Sequence, residues 1–178
     1  MQKGEFYFSR YLKRKLSRNH VKIMAEYEFV TIWRFNAPKE KVWDEIYHFE
    51  HWPEWWKDVE SIIELEKGDE NGIGTLRRHT WKSVLPYKLT FDMRTTRVEK
   101  LVLMEAAAIG ELSGTGLWQF SEIDGLTVVR SDWRVKTTKS WMNLLAPIAR
   151  PLFKWNHDVV MRWGGEGLAK RLGVTLVD

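Results

Sequence analysis

Arg77, His79 and Trp81 alternate with Arg78, Thr80 and Lys82. In an extended chain the two sets point to opposite faces, and Trp81 favours the odd-numbered set as the inner one. An arginine and a histidine side by side in a pocket can polarise or protonate a carbonyl group. On an outer face the same pair would simply be solvated.

A second group comes from projecting the segment from Leu152 to Leu172 onto a helix at about 100° per residue. With Leu152 at 0°, Val159, Trp163, Asn156, Gly167, Val160 and Phe153 fall in one arc, with Asn156 in its middle and Lys154, Asp158 and Arg162 opposite. An amide inside an apolar arc must find hydrogen-bond partners. Two readings of Asn156 follow: contact with a polar atom of a ligand, or a bond to neighbouring backbone or water. His157 falls at the edge of the arc, where it could reach a cavity mouth; packing against a sheet or facing solvent is the plainer expectation. Trp52, Trp55 and Trp56 could gate a cavity or pack a short helix.

Other positions read more plainly. Arg130, Asp132 and Arg134 alternate with Val129, Ser131, Trp133 and Val135. The apolar set, with Trp133, should point inward and the charged ladder outward. Glu105, alone in an apolar strand, is expected to face solvent.

Several chemistries lack their residues. There are no cysteines, so thiolate metal sites, iron–sulfur clusters and cysteine nucleophiles are excluded. The five histidines show no HExxH spacing, no glycine-rich loop joins a strand to a helix, and no nucleophile elbow is present. No metal and no cofactor are expected, and no residue is assigned a catalytic role.

The elements that must position these groups follow from the pattern. Tyr27, Phe29, Thr31, Trp33 and Phe35 alternate with more polar residues, which reads as a strand with an aromatic face. Asn36-Ala37-Pro38 stops it, and Val42, Trp43, Ile46 and Tyr47 have helical spacing. A second short helix spans 48–56. Six strands are then expected, at 59–65, 75–83, 87–98, 101–109, 113–123 and 127–138, separated by turn residues such as Asp124-Gly125. Such short links require antiparallel neighbours. A helical segment at 141–146 is punctuated by Pro147 and Pro151, and the main helix runs to Gly173. At 178 residues with 44% apolar and 29% charged residues, a single domain is expected.

The formal net charge of +4 divides unevenly. Residues 1–23 hold seven basic side chains against Glu5, a local +6, and the remainder is mildly acidic. A folded nucleic-acid-binding face is therefore not expected. The segment reads as a basic tail outside the fold, disordered or preceding a start at Met24. With Phe6, Tyr7, Phe8, Tyr11 and Leu12 it could also contact a membrane surface peripherally. Residues 24–178 form the expected domain, and a cytoplasmic location is the default. Oligomeric state is not specified by these residues.

The order of elements, with Ala-Pro-Lys-Glu-Lys-Val-Trp (37–43), Trp-Pro-Glu-Trp-Trp (52–56), Leu-Pro-Tyr-Lys-Leu (85–89), Gly-Thr-Gly-Leu-Trp (114–118) and Trp-Asn-His-Asp (155–158), resembles the START-like superfamily, also called SRPBCC. That family includes polyketide cyclase/dehydrase and lipid-transport members. The resemblance implies an α+β helix-grip fold: a strongly curved antiparallel sheet of about seven strands around a long C-terminal helix, with two short helices after the first strand. It implies an elongated apolar cavity for a hydrophobic small molecule of lipid, polyketide or quinone type. Asn156, His157, Arg77, His79, Trp81, Trp118, Trp133, Val160 and Trp163 are the expected ligand-binding positions. A cyclase/dehydrase-like enzyme using the same cavity, and an interaction protein docking on membrane or RNA through its tail, remain as alternatives.

Overall fold

The computed structural model describes residues 26–82, 84, 87–138 and 140–177, with the side chains of 140–149 excluded. The basic segment 1–23 and the proposed start at Met24 therefore lie outside the described residues. Strand β1 (Glu26–Phe35) leads into helix α1 (Lys39–Tyr47), a 3-10 turn (Phe49–His51) and the short helix α2 (Trp52–Trp55). Strands β2 (Val59–Glu66), β3 (Leu76–Trp81), β4 (Leu89–Glu99), β5 (Leu103–Gly110), β6 (Leu112–Ile123) and β7 (Leu126–Thr137) follow. Helix α3 (Ser140–Leu172) and a two-residue strand β8 (Leu176–Val177) end the chain.

The strands form one eight-stranded sheet in the order β2-β3-β4-β5-β6-β7-β1-β8, with antiparallel pairing throughout. This is the expected helix-grip arrangement with one more strand than the pattern announced. β8 was not legible because two residues carry no period. Its place is set by the end of α3, where the amide of Gly173 donates to Lys170 O and that of Val174 to Ala169 O. This is a Schellman arrangement, which needs the positive φ of 70° that Gly173 adopts. The chain reverses there and pairs against Arg34 and Phe35.

Two further differences concern α3. The helix runs unbroken through Pro147 and Pro151, where a break was expected. Each proline removes one backbone donor and crowds the preceding turn, yet the backbone stays helical. The buried face also sits further round than the projection from Leu152 suggested. Phe153, Asn156, Val160, Met161, Gly164 and Leu168 are buried, whereas Leu152 is 45% exposed. Leu152 is apolar without being inward, so it was a poor origin for the wheel.

The aromatic face of β1 is inward as expected, with Tyr27, Trp33 and Phe35 buried. One cluster gathers Trp33, Phe35, Val42, Trp43, Ile46 and the α2 tryptophans against Met161 and Leu168. A second gathers Tyr27, Phe91, Ala108, Leu112, Val135 and Phe153 towards the other end of the sheet. The charged ladder is outward: Arg130 pairs bidentately with Asp132 at 2.7 and 2.8 Å. No helix among the described residues is long and apolar enough to cross a membrane.

Candidate functional site

Between the two clusters lies a cavity of about 200 Å³, walled by the inner face of the sheet and by α3. Rings form much of its lining: Phe29 from β1, Trp81 from β3, Phe91 from β4, Trp118 from β6, Trp133 from β7 and Phe153 from α3. The pleat explains much of the selection, since alternate residues such as Arg77, His79 and Trp81 of β3 and Leu89, Phe91 and Met93 of β4 face the cavity. In β3 the inward set is Arg77, His79 and Trp81, as the sequence suggested. Register then places His79 opposite Phe91, and the two rings stack with centroids 5.6 Å apart.

His79 is 3% exposed, and its Nε2 has no hydrogen-bond partner among the described residues. Burial, reinforced by the neighbouring Arg77 charge and only partly opposed by Asp92, pushes its pKa down to about 3. The imidazole is therefore neutral at ordinary pH and offers a donor or an acceptor according to tautomer. Trp81 contributes a second buried polar atom, its Nε1, without a partner among the described residues. Arg77 is directed elsewhere: its Nη1 reaches Thr95 Oγ1 at 3.5 Å, Nη2 lies 3.7 Å from Glu64 Oε2, and the guanidinium sits 5.0 Å from the Phe49 ring centre.

At the other end, His157 stacks on Phe29 with centroids 4.1 Å apart. It lines the cavity, which is deeper than the edge position expected of it. Burial lowers its pKa to about 4, with Asp158 opposing the shift. Tyr27, stacked beside Phe29 on β1, has a buried hydroxyl without a partner among the described residues and a pKa raised by burial. Asn156 also lines the cavity, but its Oδ1 accepts the backbone N–H of Val84 at 3.1 Å. The backbone reading of Asn156 thus holds for its carbonyl oxygen, which pins the β3–β4 connection to α3.

The remaining expectations divide. Val160, Trp118 and Trp133 line the cavity. Trp163 does not: it is half-buried beneath Lys57, whose Nζ stands 3.8 Å from its ring. Its arc position misled for the same reason as Leu152. Trp52 and Trp55 of α2 and Trp56 just after it are buried at 4%, 8% and 2%, within the core cluster. Trp52 and Trp56 reach the cavity, and their indoles donate to Ile46 O and Val160 O; Trp55 packs below it. Glu105, expected in solvent, is half-buried and among the residues that line the cavity.

Sequence reasoning passed over Phe91, Met93, Ser131, Tyr27 and Met161, all on the cavity wall. The parity of β4 opposite His79 would have found the first two. Among the described residues no group of three His, Asp or Glu side chains could hold a metal ion.

The architecture recurs among solved structures. A START superfamily protein from Mycobacterium smegmatis superposes with a TM-score of 0.67 at 11% identity, covering 82% of this chain and 97% of that one. The Zhui aromatase/cyclase from a Streptomyces species gives 0.65 at 14% identity, covering 84% and 94%. A protein from Thermus thermophilus, TTHA0849, gives 0.64 at 19% identity, covering 82% and 99%. No family model matches the sequence. No curated protein matches it either.

Proposed function

We propose that this chain, which has the START-like helix-grip fold, uses the cavity between sheet and α3 to bind a hydrophobic small molecule. The observation that carries this reading is the lining itself: indole and phenyl rings from several strands and from α3, with a few inward polar atoms. Apolar walls supply affinity, and sparse polar groups fix orientation. Rings on several walls suit a flat, conjugated ligand of polyketide or quinone type better than a lipid chain, because ring faces and edges stack favourably against one another. Trp81 Nε1 and His79 Nε2 would hold a carbonyl or hydroxyl of that ligand.

A second reading, a cyclase/dehydrase-like enzyme, is favoured by one feature: a neutral imidazole beside the cavity with Arg77 on the same strand face. In that case the enzyme would act mainly by holding a flexible substrate in a reactive shape. The two readings separate in His79→Ala. Weakened binding with no turnover supports a carrier, whereas a lower rate at unchanged affinity supports catalysis.

The test is mass spectrometry of freshly purified protein, native and after solvent extraction. A stoichiometric aromatic mass supports the proposal. A fatty-acyl mass overturns the preference for a flat ligand. A protein that is empty and also fails to bind a naphthalene-sulfonate dye overturns the binding reading.

A further inference from the structure

Tyr27 and Trp81 line the same cavity from different walls. Their strands, β1 and β3, are separated by β4, β5, β6 and β7 in the sheet, whose curl brings both round to face one space. The ring neighbours differ accordingly. Trp81 packs edge-on against Trp52 and Trp56, whereas Tyr27 packs edge-on against Phe153 and stacks with Phe29.

Each wall carries a buried polar atom that no described residue satisfies. Tyr27 is 8% exposed and its hydroxyl has no such partner. Neither has Trp81 Nε1, nor the Nε2 of His79, two residues away on the same strand face. Buried polar side-chain atoms are as a rule hydrogen-bonded, so orphans on two walls of one cavity point to a shared partner inside it. Both walls donate. An indole nitrogen can do nothing else. At Tyr27 burial raises the pKa, with the Arg150 charge only partly opposing it, so the phenol keeps its proton.

Resting on the reading of this cavity as a binding site, we propose that its ligand is a flat molecule with an acceptor oxygen at each end. Trp81 and His79 hold one oxygen, and Tyr27 holds the other. A fatty acid or a sterol carries its polar group at one end only and would set hydrocarbon against the second donor. A carbonyl or phenolic oxygen at both ends leaves neither donor unpaired. Tyr27 is then a specificity-determining residue. Its ring is packed by Phe29 and Phe153, with centroids at 5.9 and 5.8 Å, which presents the hydroxyl in one place.

The test is calorimetric titration of the full chain with two matched pairs of probes, each pair sharing one flat ring system. Naphthalene-2,6-diol is compared with 2-naphthol, and biphenyl-4,4′-diol with 4-phenylphenol, so that two spans are covered. In at least one pair the second oxygen should tighten binding roughly tenfold, the worth of one added hydrogen bond. Tyr27→Phe should erase that gain, leave the singly oxygenated probe unchanged, and hold or raise the unfolding midpoint, because an unpaired buried hydroxyl is removed. Equal affinities within both pairs overturn the inference and leave the cavity reading standing. Equal losses for both members of a pair in Tyr27→Phe overturn it as well. So does a lowered midpoint, which would show that the hydroxyl serves the fold. Binding of none of the four probes overturns the cavity reading together with the inference.

Discussion

The indole nitrogen of Trp56 donates a 2.9 Å hydrogen bond to the carbonyl of Val160, one helical turn before Gly164. A Cβ at Gly164 would stand 2.6 Å from Cζ2 of the same indole. The glycine-rich stretch of α3 is thus the groove into which α2 is set, which fixes the floor of the cavity.

Gly164 and Gly167 should respond differently to alanine. At Gly164 the obstacle is a side-chain ring, so Gly164→Ala should cost about 1–3 kcal/mol as an overpacking substitution, partly offset by helix propensity. At Gly167 the new Cβ would collide with the backbone carbonyl of Trp55, which cannot rotate away. Urea unfolding should rank Gly167→Ala as the less stable variant. The reverse order would mean that α2 and α3 are further apart than described.

His79 and His157 predict a specific acid sensitivity. Both have folded-state pKa values depressed below the ordinary 6.5, to about 3 and about 4. As pH falls below 6.5 the unfolded chain takes up protons that the folded chain refuses, so stability declines with falling pH. The slope approaches about 1.4 kcal/mol per pH unit for each histidine while its unfolded form is charged. It ends for His157 near pH 4 and for His79 near pH 3. His79→Leu should reduce the loss measured by denaturant unfolding between about pH 6.5 and 4.5. An unchanged slope would show that His79 already carries its proton in the folded state.

Cavity volume is open to a direct test at Ala106, a small residue on the wall of β5. Ala106→Phe should occupy much of the cavity and abolish dye binding or the co-purifying mass, with the unfolding midpoint held or raised. Retained binding in a folded variant would place the ligand elsewhere.

Asn156→Ala should act first on the β3–β4 connection. Losing the bond to the Val84 amide should cost about 1 kcal/mol and speed hydrogen exchange at that amide, measured by NMR. Protection unchanged at Val84 would mean that the connection is held by other contacts.

The strands, their order and the inward face of β3 were legible because a half-buried sheet writes burial into alternate positions. Trp81 pointed to the odd-numbered face of β3 as the inward one, whereas the cavity itself was expected from the family resemblance. Helix α3 was less legible. Leu152 and Trp155 are apolar yet exposed, so the helix carries apolar residues on two faces and periodicity alone does not say which is inward. The role of Asn156 depended on Val84, a residue 72 positions away, and no local pattern encodes that meeting. Trp163 was misplaced with Leu152, on the apolar side of α3 that does not face the cavity. The fold was thus written locally and the site mostly by tertiary encounter.

The crowding of indoles has an optical consequence. Trp56 stands 4.9 Å from Trp52, 5.0 Å from Trp81 and 5.3 Å from Trp33, with rings inclined at 38°, 83° and 64°. Chromophores so close and so tilted share their excited states and rotate near-ultraviolet light strongly. Three of these four rings, Trp52, Trp56 and Trp81, also border the cavity. A ligand that reaches Trp52, Trp56 or Trp81 touches the array, and its arrival would be read in absorption and emission without an added label.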